Sequence, residues 1–82
     1  RSNYPNPFNP TTTIAYQLSE TAFVRLAVYN MNGQLVENLI AKEQSAGYYD
    51  TVWNATNYSS GIYLYKFQAG NFQQVGKCLL LK

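Results

Sequence analysis

The chain has 82 residues, 46% of them hydrophobic and 12% charged, with six Lys or Arg, four Asp or Glu and no histidine. That length supports one domain around one modest core, and a scattered net charge of +2 argues against nucleic acid or an anionic membrane as partner. With Glu20, Glu37, Glu43 and Asp50 as the only carboxylates, the side chains that acid–base chemistry and metal binding need are mostly missing. No catalytic residue, metal ligand or cofactor is therefore expected.

Eight tyrosines, four phenylalanines and nine asparagines suit aromatic-faced strands joined by tight turns, which makes an all-β fold the first inference. Cys78 has no partner in the chain for a disulfide, and its neighbours Leu79, Leu80 and Leu81 mark it as a buried hydrophobe-like side chain. No apolar run approaches the roughly 20 residues that span a bilayer, and the first residues lack the pattern of a signal peptide, so membrane insertion is not expected. A chain that starts without Met reads as a piece of a longer protein.

In chain order, the three prolines of Tyr4-Pro5-Asn6-Pro7-Phe8-Asn9-Pro10 predict a stiff, extended lead-in over residues 1–11. The folded domain is expected over 12–82. Thr12 to Leu18 alternates with Ile14, Tyr16 and Leu18 on one face, and Val24, Leu26 and Val28 repeat the period while Arg25 and Tyr29 point away. The Asn32-Gly33 pair predicts a tight hairpin into a strand from Gln34 to Ala41. Within that strand Leu35, Val36, Leu39 and Ile40 also fit helical spacing; shortness and strand neighbours favour strand.

After a polar break from Lys42 to Ala46, Tyr49, Thr51 and Trp53 share one strand face. A loop from Asn54 to Gly61 leads to Ile62–Ala69, where Tyr63, Tyr65 and Phe67 form an inward aromatic face, and a turn at Gly70 leads to a last strand from Phe72 to Leu81. Two N-glycosylation sequons, at Asn54 and Asn57, are discounted as chance in an Asn-rich chain. Six segments read as strands, and short strands at this spacing without a strong helix predict an immunoglobulin-like β-sandwich of about seven antiparallel strands, although the Cys…Trp…Cys core of immunoglobulins is absent.

The blocks Tyr4 to Ile14, Val24 to Asn30 followed by Gly33 and Val36, Ala46-Gly47-Tyr48, Trp53-Asn54-Ala55, Ser60 to Tyr65, and Lys77-Cys78-Leu79-Leu80-Leu81-Lys82 stand in the order seen in one family. Together they resemble the C-terminal sorting domain of the type IX secretion system, nearly end to end. The family often has Lys and Met where Gly76 and Cys78 stand here. The resemblance implies a non-catalytic Ig-like module at the end of exported Bacteroidetes-type proteins, read by outer-membrane secretion machinery proteins. It further implies delivery of an attached N-terminal cargo domain through the periplasm to the surface or medium of a Gram-negative bacterium. Candidate recognition residues are Pro5, Asn6, Pro7, Phe8, Lys77, Leu80 and Lys82.

A second reading stays open: an Ig-like structural or adhesive module, either a spacer or an assembly domain like that of flagellar hook-capping proteins, binding protein or glycan. Gly33, Val36 and Trp53 fit that cousin as well. The proline block also serves either reading, since Pro blunts strand pairing at a sheet edge. In the last strand, Lys77 and Lys82 fit protection of an edge as well as capture of that edge by a partner through strand addition.

Overall fold

The computed structural model describes residues 10–81. Six strands follow one another: β1 (Thr11–Leu18), β2 (Ala22–Asn30), β3 (Leu35–Gln44), β4 (Gly47–Asn54), β5 (Gly61–Ala69) and β6 (Phe72–Leu80). They form two antiparallel sheets packed face to face, β1-β4 and β3-β2-β5-β6. The all-β expectation holds as two packed sheets; the described residues contain six strands rather than about seven.

Alternation explains most of the packing. Ile14, Tyr16 and Leu18 of β1 and Trp53 of β4 meet Val24, Leu26 and Val28 of β2 and Tyr63, Tyr65 and Phe67 of β5. Cys78 and Leu80 of β6 complete this core. Trp53, Val24, Leu26, Val28 and Leu80 have no exposed surface, so the full apolar area of each contributes, on the order of 1.5–3 kcal/mol per side chain. Aromatic rings bridge the sheets: Tyr16 lies 4.7 Å from Phe67, and Trp53 meets Tyr63 edge-on at 5.3 Å between centroids.

The helix-like spacing in β3 has a structural origin. Opposite β2 the register slips twice, with Leu26 facing Ile40 but Ala27 facing Asn38, and Val28 facing Glu37 but Tyr29 facing Leu35. Leu39 and Val36 are the extra residues at two bulges, so period two breaks where the sequence looked helical. Val36, Leu39 and Ile40 all pack against the core. The strand also runs to Gln44, through residues expected to form a polar break, because Ala22, Phe23 and Val24 offer partners to Gln44, Glu43 and Lys42.

At the β2–β3 turn, the Asn30 carbonyl accepts from the Gly33 N–H at 3.0 Å. The Asn30 side-chain oxygen accepts from the Asn32 and Gln34 amides at 2.9 and 3.0 Å. Only Gly33, at φ +80°, takes a left-handed conformation; Asn32 does not. The tight hairpin expected here is a three-residue loop, Met31 to Gly33, closed by the Asn30 N–H donating to the Gln34 carbonyl. At the other hairpin Gly70 and Asn71 form a two-residue loop between paired Ala69 and Phe72.

A candidate recognition surface on the terminal strand and its sheet

Side chains on β6 alternate between core and solvent. Cys78 and Leu80 point inward, whereas Val75, Lys77 and Leu79 point outward. Of the expected recognition residues, Lys77 is therefore exposed on the outer face, opposite Leu64 of β5. Leu80 has no exposed surface and faces the core; Leu79 and Leu81 are the exposed leucines beside it. Pro5, Asn6, Pro7, Phe8 and Lys82 lie outside the described residues.

Gly76 is held to its type by packing. A Cβ built on it would stand 2.2 Å from Cζ of Tyr65, its cross-strand partner, whose buried ring lies over the glycine. An aromatic ring covering a cross-strand glycine fills the space a side chain would take, which accounts for glycine where the family often has Lys. Burial pushes the Cys78 thiol up to about 11, so at neutral pH it is a protonated, unreactive core group. Burial, and next the neighbouring Cys78, push the Tyr65 phenol up as well.

On the outer face, strand pairing sets Arg25 opposite Gln68, Ala27 opposite Lys66 and Tyr29 opposite Leu64, while Leu64 faces Lys77 and Lys66 faces Val75. Arg25, Lys66 and Lys77 thus form a diagonal across β2, β5 and β6, each one outward position further along. Diagonal neighbours on a sheet lie roughly 7–8 Å apart. β2, β5 and β6 carry no carboxylate, and the one on this outer face is Glu43 of β3, opposite Phe23 and diagonal to Arg25. Arg25 sits over the Phe23 ring at 5.8 Å.

Sequence reading did not identify the role of Glu37. One of its oxygens accepts from Trp53 Nε1–H at 3.2 Å and from the Tyr58 hydroxyl at 3.1 Å, tying β3 to β4 and to the β4–β5 loop. Burial, followed by this carboxylate, raises the Tyr58 pKa. The register slip at Val28/Tyr29 leaves Glu37 facing inward opposite Val28, and no local pattern announces that. Asn54 of the first sequon caps its own turn, its side-chain oxygen accepting from the Thr56 amide and hydroxyl.

No group of three His, Cys, Asp or Glu could hold a metal among the described residues, and none of their helices is long and apolar enough to cross a membrane. A cleft of about 650 Å³ at the β5–β6 turn is lined by Leu18, Phe67, Ala69 and Phe72, with Glu20 its one ionisable wall residue. It has no base, nucleophile and oxyanion donor arranged together.

No curated protein and no solved structure matches the chain. A family model, described as the secretion system C-terminal sorting domain, matches residues 2–81. The chain therefore belongs to the C-terminal sorting domains of type IX secretion, a non-catalytic family that addresses attached cargo for export.

Proposed function

We propose that this domain is read by proteins of the outer-membrane export machinery while joined to an N-terminal cargo domain, and that it delivers that cargo through the periplasm to the cell surface or medium of a Gram-negative bacterium. The observation that carries this reading is the extent of the family match, which over residues 2–81 includes both the proline block and the terminal strand. Pro5, Asn6, Pro7 and Phe8 of the 1–11 lead-in, together with Lys77 and Lys82, are the residues we assign to recognition. Leu80 contributes by holding β6 in place. A pre-extended proline segment loses little conformational entropy on docking, which favours its use as a contact element.

We also assign the sandwich to the immunoglobulin-like class. Its strand order, a β1-β4 pair against β3-β2-β5-β6, is that of the B-E and C′-C-F-G strands of such folds. The Tyr63 hydroxyl donates to the Ser59 carbonyl at 2.7 Å at the start of β5, the position of a tyrosine corner. A seventh strand would pair along the edge of β1 that β4 leaves open.

The test is a reporter fused ahead of the domain in a host that has the machinery. Wild-type fusion is expected in the medium or on the surface. A folded fusion retained in the periplasm would refute the sorting role and favour a spacer module. Truncation of the last five residues is a poor probe, because it removes the buried Cys78 and Leu80. Substitution of outward-facing Lys77 separates recognition from folding.

A further inference from the structure

We propose that the outer face of the four-stranded sheet is a docking surface for a protein whose contact patch is apolar at its centre and carries carboxylates opposite Lys66 and Lys77. This deepens the sorting reading and rests on it. The cations are the first argument. The described residues contain four Lys or Arg side chains, and three of them stand on one diagonal of one face. Like charges on neighbouring strands oppose folding; Glu43, on the outer face of β3 and diagonal to Arg25, offsets that end, while β5 and β6 carry no carboxylate to offset Lys66 and Lys77. Negative charge from a partner would.

The apolar residues supply the second argument. On one side of the diagonal lie Leu35, Tyr29, Leu64 and Ile62, the first three in one row across β3, β2 and β5. On the other side lies Val75. Leu35 is 54%, Val75 57% and Ile62 39% exposed. The opposite outer face, formed by β1 and β4, has no cation and one carboxylate, Asp50. That face also exposes Tyr48 and Val52, so what sets the four-stranded face apart is its positive charge at Lys66 and Lys77 amid apolar side chains.

The shape favours a protein over a bilayer. Four strands about 4.8 Å apart and about nine residues long offer roughly 500 Å², a flat patch in the range of transient protein contacts. Membrane-surface binding relies on protruding Trp, Phe and Leu backed by dense Lys and Arg, whereas this face carries two aromatic side chains, Phe23 and Tyr29, and three cations spread over three strands. An address label that must be released after use suits a small, steered contact.

The test uses the complete cargo-domain fusion in an export-competent host, comparing wild type, K66E/K77E, K66R/K77R and, on the opposite face, D50K. Melting temperature of each purified fusion checks folding, and K66Q/K77Q replaces the charge reversal should that variant melt much lower. Expected are an export loss of about tenfold for K66E/K77E, near wild-type export for K66R/K77R, and less than about a twofold change for D50K. Wild-type export with equal export of a folded K66E/K77E fusion overturns the docking face and leaves the sorting role intact; absence of wild-type export overturns the sorting role itself. Flotation of the fusion with phosphatidylglycerol vesicles, abolished in K66E/K77E, would overturn the protein assignment in favour of a lipid surface.

Discussion

The two edges of the four-stranded sheet are built on different principles. At one edge β3 bends through two bulges, carries Glu37, Lys42 and Glu43, and is tied inward by a carboxylate that Trp53 and Tyr58 share. At the other, β6 pairs with β5 over nine consecutive residues without a slip, and Lys77 is its one charged residue. Bulges and charges make an edge a poor template for further pairing, so β3 is closed to strand addition by its geometry. β6 is straight, regular and ends on alternate buried and exposed leucines. In this chain the terminal strand is the edge that keeps its ladder intact, and the bulges and most of the edge charges lie on the other.

Leu80 tests that contrast most severely. Its side chain is wholly inside the core, so Leu80→Ala should destabilise the domain by about 2–5 kcal/mol, seen as a lower midpoint in urea unfolding. An unchanged midpoint would mean that β6 is held by its backbone ladder alone. Next comes Gly76→Ala. With Tyr65 Cζ only 2.2 Å from the new Cβ, the buried ring has to move, at a cost of about 2–3 kcal/mol. The companion Tyr65→Leu/Gly76→Ala pair should recover part of that loss, because the ring is what excludes the methyl group.

These expectations show what the sequence discloses and what it hides. β1, β2 and β5 were legible because each buries its large apolar side chains on one face, so Ile14-Tyr16-Leu18, Val24-Leu26-Val28 and Tyr63-Tyr65-Phe67 write their orientation as a period of two. β3 was harder because each bulge shifts that period by one, turning a strand into an apparent helix at Val36, Leu39 and Ile40. The burial of Leu80 was hidden for a related reason: a run of leucines has no polar partner to mark which of them face in. The cation diagonal was out of reach altogether. Arg25, Lys66 and Lys77 become neighbours only through the register of three strands, and register is a tertiary property.

The pH dependence of stability reports most directly on the β6 side. Burial holds the Cys78 thiol near 11 against 9.0 for the free group. Its folded pKa is raised, so above about pH 9 the unfolded chain releases a proton that the folded chain keeps. The stability this thiol contributes is complete below 9 and is lost as pH climbs through the folded value, by about 2 kcal/mol over that window. Tyr16, Tyr58 and Tyr65, all raised mainly by burial, act in the same direction. Cys78→Ala should reduce the slope between pH 9 and 11 in urea unfolding while leaving the tyrosine part; an unaltered slope would place the titration elsewhere.

The smallest expected effect belongs to the β3 side and is the sharpest. Both donors, Trp53 Nε1–H and the Tyr58 hydroxyl, use the same oxygen of Glu37, at 3.2 and 3.1 Å. Glu37→Gln keeps an acceptor oxygen in that place and removes only the charge, so it should cost less than about 1 kcal/mol. Glu37→Leu removes the acceptor itself and should cost about 1–3 kcal/mol, since two polar groups at the core's margin lose a partner together. A double-mutant cycle with Tyr58→Phe separates the two bonds: coupling should vanish in the Leu background and persist in the Gln one. Equal losses for Gln and Leu would instead make the negative charge the stabilising feature, and β3 would then be anchored by electrostatics where its geometry indicates a shared hydrogen-bond acceptor.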